Sequence, residues 1–194
     1  MKNYYHDNAK AFFEVTVDVD MTPLYQQFLP LLPANGSILD AGCGSGRDSV
    51  HFIKQGYNVT AIDASQPLCD MATELLGQPV TCMDFEAIDW KSEFDGIWAC
   101  ASLLHVERSR LCAITQTMSD ALKPSGVLYA SFKYGNSERI KDGRNFTDMD
   151  EQLIEILFDN VSGITLEEIW VTEDRRAANI NKWINILARK NEAF

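Results

Sequence analysis

From residue 37 onward, short β-branched apolar runs alternate with stretches whose apolar residues recur every three to four positions, which predicts strands alternating with amphipathic helices. Residues 37–42, 58–63, 79–84, 94–102 and 126–135 read as strands. Between them, "GRDSVHFIKQG" closes on Gly56, and "SQPLCDMATELLG" opens on a Ser cap and closes on Gly77. The spacing of Leu111, Ile114, Met118, Ala121 and Leu122 gives a further helix. After residue 135 the alternation changes: "DMDEQLIEILFDN" reads as one helix, then "TLEEIWVTED" and "KWINILARK" as two strands joined by a short turn region. Alternation of this kind places helices on both faces of a parallel sheet. The expected fold is therefore α/β, a doubly wound seven-stranded, mostly parallel sheet with an antiparallel last strand.

The first 36 residues follow another pattern. "AKAFFEVTVDVDMTPLYQQFLPLLP" predicts a helix pair, with Tyr4, Tyr5, Phe12 and Phe13 before it. Lying ahead of the sheet, this segment can fold over the carboxyl ends of the strands as a lid. No linker, repeat or low-complexity run divides the chain. The expectation is one domain over 1–194, with a helical segment at 1–36, a ligand-binding core at 37–135, and substrate-side elements with the final strand pair at 136–194.

Composition narrows the function classes. With 194 residues, 46% of them hydrophobic, one substantial core is affordable. Lys and Arg number 17 against 28 Asp and Glu, and a net charge of -11 opposes bulk nucleic-acid binding, because each phosphate contact needs a cation. The start "MKNYYHDNAK" lacks a signal-peptide core, and no run approaches the roughly 18 to 20 apolar residues of a membrane span. The chain reads as cytoplasmic, with no membrane contact. Cys43, Cys69, Cys82, Cys100 and Cys112 form no C-x-x-C pair, and His6, His51 and His105 lack metal-ligand spacing, so no metal site is expected.

Candidate chemistry concentrates in "ILDAGCGSGRDS", residues 38–49, where three glycines stand at alternate positions after a strand. In doubly wound sheets, ligands bind outside the carboxyl ends of the strands, commonly beside the first. A phosphate loop would follow its last glycine with Lys and Ser or Thr, but Gly46 is followed by "RDS". The G-x-G-x-x-G dinucleotide pattern fits poorly too, since Arg47 stands where its third glycine belongs. The run D-x-G-x-G-x-G instead suits a ligand with an amino-acid tail and an adenosine. Asp40 can stabilise an ammonium, Arg47 and helix N–H groups can meet a carboxylate, and Gly42, Gly44 and Gly46 let the backbone approach. Asp63 can accept both ribose hydroxyls, while Asp84 and Phe85 offer an acceptor and a ring to an adenine.

In this order, "ILDAGCGSGRDS", "AIDAS", "CMDF" and "FDGIWACASLLHV" resemble the successive motifs of class I S-adenosylmethionine-dependent methyltransferases, over about residues 37–106. "LKPSGVLYASFK" extends the likeness to about residue 133. The closest resemblance is to small bacterial tellurite-resistance-like methyltransferases. It implies a Rossmann-like sheet with a reversed last strand and S-adenosyl-L-methionine as cofactor. The implied cofactor contacts are Asp40, Gly42, Gly44, Asp63, Asp84 and Phe85, with Ala101 and Ser102 beside the sulfonium; Tyr5, Gly46, Arg47 and Ala64 complete the candidate set.

Methyl transfer from a sulfonium is an in-line displacement, so the protein chiefly supplies alignment and field. His105, just past the fourth strand, is the candidate base or substrate hydrogen-bonder. Lys133, Arg144, Arg175 and Arg176, with Tyr134, Trp183 and Asn185, form a cationic and aromatic concentration in an acidic chain. That concentration predicts a small-molecule acceptor carrying a carboxylate or another oxyanion, anchored mainly by Arg175 or Arg176 with help from Arg144. Two other readings stand beside this one: an NAD(P)-dependent oxidoreductase, and a non-catalytic S-adenosylmethionine-binding regulator or partner subunit.

Overall fold

The computed structural model describes residues 2–174 and 181–192. Three short helices come first: α1 (Lys2–Asp7), α2 (Ala9–Thr16) and α3 (Thr22–Phe28). The core follows as β1 (Ser37–Ala41), α4 (Arg47–Lys54), β2 (Asn58–Asp63), α5 (Gln66–Leu76), β3 (Thr81–Cys82), β4 (Phe94–Ala99), α6 (Arg108–Ala121) and β5 (Leu122–Lys133). The chain ends with β6 (Glu138–Lys141), β7 (Arg144–Thr147), α7 (Glu151–Asp159), β8 (Ile164–Glu173) and β9 (Lys182–Lys190).

Seven strands form one sheet in the order β3-β2-β1-β4-β5-β9-β8. All pairs from β3 to β5 are parallel, and β9 runs antiparallel between β5 and β8. This is the expected doubly wound sheet. The central strands β1, β4 and β5 are buried on both faces because alternate residues feed two cores. Ile97 and Ala99 pack with Leu111, Ile114 and Ile154 on one side, while Trp98 packs with Tyr25, Phe28 and Phe52 on the other. Strand order reverses between β1 and β4, which opens a crevice at their carboxyl ends.

Several local expectations need correction. The third strand is only Thr81–Cys82, shorter than 79–84. The N-terminal aromatics lie within the first two helices rather than ahead of them, Tyr4 and Tyr5 in α1 and Phe12 and Phe13 in α2. The Ser65 side chain does not cap α5; its hydroxyl is buried without a partner, and its N–H instead donates to Asp63 Oδ1 at 2.9 Å. An additional hairpin, β6 with β7, closes through Asp142 and Gly143 at φ 53° and 71°. Positive φ at both positions is what a two-residue hairpin turn requires. No helix among the described residues is long and apolar enough to cross a membrane.

Candidate functional site

A cavity of about 910 Å³ opens where β1, β2, β4 and β5 end. At one end lies the glycine loop. Gly42 sits at φ 83°, and a Cβ there would lie 2.5 Å from Ser102 Cβ, so only glycine lets the ends of β1 and β4 approach this closely. Ser102 fixes that approach by donating to the Ala41 carbonyl at 2.6 Å. The N–H groups of Gly42 and Cys43 both donate to the Ile62 carbonyl at 2.9 Å, tying the loop to β2. Ala101, also at the cavity, is held at φ 52° although it carries a Cβ, with its N–H donating to Ser131 Oγ. Such a conformation persists only where the surroundings over-determine it.

Asp63 ends β2 and faces the same space. Its Oδ2 accepts from Gly44 N–H and its Oδ1 from Ser65 N–H, each at 2.9 Å. Burial pushes its carboxyl up, and these backbone donors pull against that shift. Beside it, Ser65 lines the cavity, with its hydroxyl buried and without a partner. Ala64, Asp84 and Phe85 line the wall next to it.

Arg47 also reaches the cavity, but its Nε and Nη2 donate to Asp48 at 2.6 and 3.0 Å. Asp48 further accepts from Tyr25 Oη and Trp98 Nε1, so this buried carboxylate is surrounded by donors and held below its usual range despite burial. Asp40 and Gly46 are not cavity-lining. Asp40 is buried behind the loop, accepting from Ser49 Oγ at 2.6 Å, and burial together with the Asp48 charge pushes its carboxyl up. Gly46 begins α4 at φ 79°, and a Cβ there would lie 2.6 Å from Leu76 Cδ1. Its bareness serves the packing of α4 on α5.

The other end is roofed by the N-terminal helices. Phe12 packs over Gly44, and Tyr5 Oη lies 2.7 Å from His105 Nε2. His105 Nδ1 lies 2.7 Å from the Asn145 carbonyl of β7. A carbonyl can only accept, so Nδ1 carries the proton and Nε2 accepts from the Tyr5 hydroxyl. Burial, then the positive charges of Arg144 and Lys133, push the His105 pKa down to about 4. The Arg144 guanidinium lies 3.6 Å from the Tyr4 ring centre and 5.0 Å from that of Phe146, and its Nε is buried without a partner. Lys133 Nζ is 4.8 Å from the Phe146 ring centre.

The structure thus brings Tyr5, His105, Lys133 and Arg144 to one end and Gly42, Gly44, Asp63, Ala64, Asp84, Phe85, Ala101 and Ser102 to the remainder of one cavity. Tyr5, assigned to the cofactor from the sequence, lines the cavity, and its hydroxyl bonds His105. Arg175 and Arg176 lie outside the described residues. Sequence reasoning named Tyr4 only as an aromatic of the N-terminal segment and missed Asn145 and Phe146. The available signal was Asp142-Gly143 between short runs, a hairpin turn that places Asn145 and Phe146 beside His105. Among the described residues no cluster of three or more potential metal ligands forms.

Comparison with known proteins agrees with this arrangement. Residues 38–126 match the methyltransferase domain family. Bacillus subtilis YqeM, itself inferred to be a methyltransferase, is 29% identical over 63% of this chain and 53% of its own length. The 2-methyl-6-phytyl-1,4-hydroquinone methyltransferase of a Synechocystis strain is 30% identical over 62% of this chain and 39% of its own. The chain therefore spans about half the length, or less, of these relatives. The solved Burkholderia thailandensis 1,6-didemethyltoxoflavin-N1-methyltransferase superposes with a TM-score of 0.78 at 22% identity, covering 98% of this chain and 85% of that one. The methyltransferase domain matched over residues 38–126 and the shared fold support a class I S-adenosylmethionine-dependent methyltransferase. The Burkholderia enzyme was solved with S-adenosylhomocysteine bound. These likenesses support the superfamily, and the tellurite-resistance-like branch rests on the sequence motifs alone.

Proposed function

We infer that this protein transfers a methyl group from S-adenosylmethionine to a small-molecule acceptor bearing a negative charge. One observation carries the reading: a single cavity joins the glycine loop and Asp63 to a second end walled by His105, Lys133 and Arg144. The cofactor's sulfonium supplies an electrophilic methyl whose departure leaves the bonding electron pair on sulfur. Asp63 and Ser65 would hold ribose hydroxyls, Asp84 and Phe85 the adenine, and the loop from Gly42 the amino-acid portion. Ala101 and Ser102 would flank the reacting end.

Charge supports the anionic acceptor. A net charge of -11 repels anions at long range, so an anionic acceptor needs a local positive site to overcome that field. Lys133 and Arg144 supply one, and the stacking of Arg144 on Tyr4 fixes its guanidinium plane. Arg175 and Arg176 remain candidate anchors by sequence. The test is a methyl-transfer screen over small anionic, neutral and cationic acceptors, repeated with Arg144→Ala, Arg175→Ala and Arg176→Ala. The expected result is preference for an anion and a raised KM in at least one variant. Preference for neutral or cationic acceptors would overturn the anionic assignment.

A further inference from the structure

The acceptor end is equipped to hold an anion and poorly equipped to take a proton. His105 is the side chain there with the chemistry of a base, and both ring nitrogens are engaged: Nδ1–H with the Asn145 carbonyl and Nε2 with the Tyr5 hydroxyl. A proton added to Nε2 would break the Tyr5 donation and place a third positive charge beside Arg144 and Lys133. Burial adds to that cost, as the depressed basicity of His105 reflects. Tyr5 offers no alternative, since burial raises its own pKa although Arg144 lies beside it.

The charged groups around this end come from several elements. Arg144 is on β7, where its Nη2 also pairs with Asp142 Oδ2 of the hairpin turn at 3.3 Å, and Lys133 is on β5; both act on His105, and Asp63 of β2 acts on Tyr5. Glu107, Lys141 and Glu173 line the cavity from exposed positions, where solvent screens them, and Asp174 lines it from a half-buried one. Arg110, a further lining residue, is paired with Glu86. Aromatic rings surround His105: Tyr5 is 5.4 Å from the imidazole centre and Phe146 5.0 Å, both edge-on, while Tyr4 carries the stacked guanidinium.

We propose that the acceptor is a planar ring whose reacting atom is an acidic hydroxyl or ring N–H, bound in its deprotonated form against Arg144 and Lys133, with His105 staying neutral. This rests on the methyltransferase reading and extends it, because the negative charge sits on the nucleophile itself. The acceptor's proton leaves to solvent as the anion binds. The methyl then replaces it on the same atom, and a cationic donor and an anionic acceptor become two neutral products. Within this scheme Tyr5, His105 and Asn145 form a positioning chain that holds α1 and β7, and with them Arg144, against the reacting end.

The experiment uses the full chain saturated with S-adenosylhomocysteine and 4-nitrophenol as the probe, since its phenolate is yellow and its phenol is not. The probe is titrated through its ionisation with and without protein, while His105 is followed by its imidazole nitrogen signals. Bound probe is expected to ionise at least one pH unit lower than free probe, a tenfold preference for the anion. Arg144→Gln should reduce that preference, and His105 should remain neutral in the complex. Equal affinity for phenol and phenolate, no binding of the probe to a protein that has bound S-adenosylhomocysteine, or a protonated His105 in the complex would each overturn the proposal. If Arg144→Gln does not fold, Lys133→Met replaces it, with the same reduced preference expected. Failure to bind S-adenosylhomocysteine would instead overturn the methyltransferase reading on which the proposal stands.

Discussion

Asp63 holds the glycine loop in place with one carboxylate oxygen and the start of α5 with the other. Each oxygen retains a lone pair, so the carboxylate can accept ligand hydroxyls without releasing the backbone. Replacing it with Ala should weaken S-adenosylhomocysteine binding about ten- to a hundredfold, roughly 1.5 to 3 kcal/mol for a charge-assisted contact; calorimetry of the folded variant checks this. His105 gives a pH prediction. Its pKa falls from 6.5 to about 4 in the folded chain, so between those values the unfolded chain binds more protons and stability rises with pH. Acidification from pH 6.5 towards 4 should therefore cost wild-type stability that His105→Gln does not lose, read by thermal melts across that range. Both residues were legible in the sequence, Asp63 from the end of an apolar run and His105 from its place past the fourth strand. The duties of Asp40 and Gly46 were not, because the same D-x-G-x-G-x-G pattern serves both the cavity and the packing behind it. Only the third dimension separates Gly42, pressed against Ser102, from Gly46, pressed against Leu76.

The N-terminal helices are short. α1 has 6 residues and α2 has 8, lengths at which an isolated helix in water is marginal, so tertiary contacts must hold them. Those contacts are Tyr5 on His105, Tyr4 on Arg144 and Phe12 over Gly44. Two of the three touch the acceptor end and the third touches the glycine loop, so ligand binding and helix docking share residues. S-adenosylhomocysteine should slow amide exchange across residues 4–16, and Tyr5→Phe should speed it in the ligand-free protein by removing the bond to His105. Equal exchange with and without ligand would make this segment a packing element only. Its helical nature could be read from sequence, whereas its docking could not, since Tyr5 and His105 are 100 residues apart. The hairpin of β6 and β7 escaped for a different reason. "ERIKDGRNFT" is mostly polar and lacks a strong two-residue alternation, leaving Asp142-Gly143 as its main signal.

Across the molecule, strand order determines where chemistry can occur. The reversal between β1 and β4 leaves room at their carboxyl ends, and loops following β1, β2, β4 and β5 all contribute to the cavity there. That arrangement was legible because buried parallel strands read as continuous apolar runs separated by helical spacing. The central claim is that this cavity holds S-adenosylmethionine and not a nicotinamide cofactor. A calorimetric titration of the full chain with S-adenosylhomocysteine and, separately, with NADH tests it most directly. The account predicts saturable one-to-one binding of S-adenosylhomocysteine and none of NADH; saturable binding of NADH with no S-adenosylhomocysteine binding would contradict it.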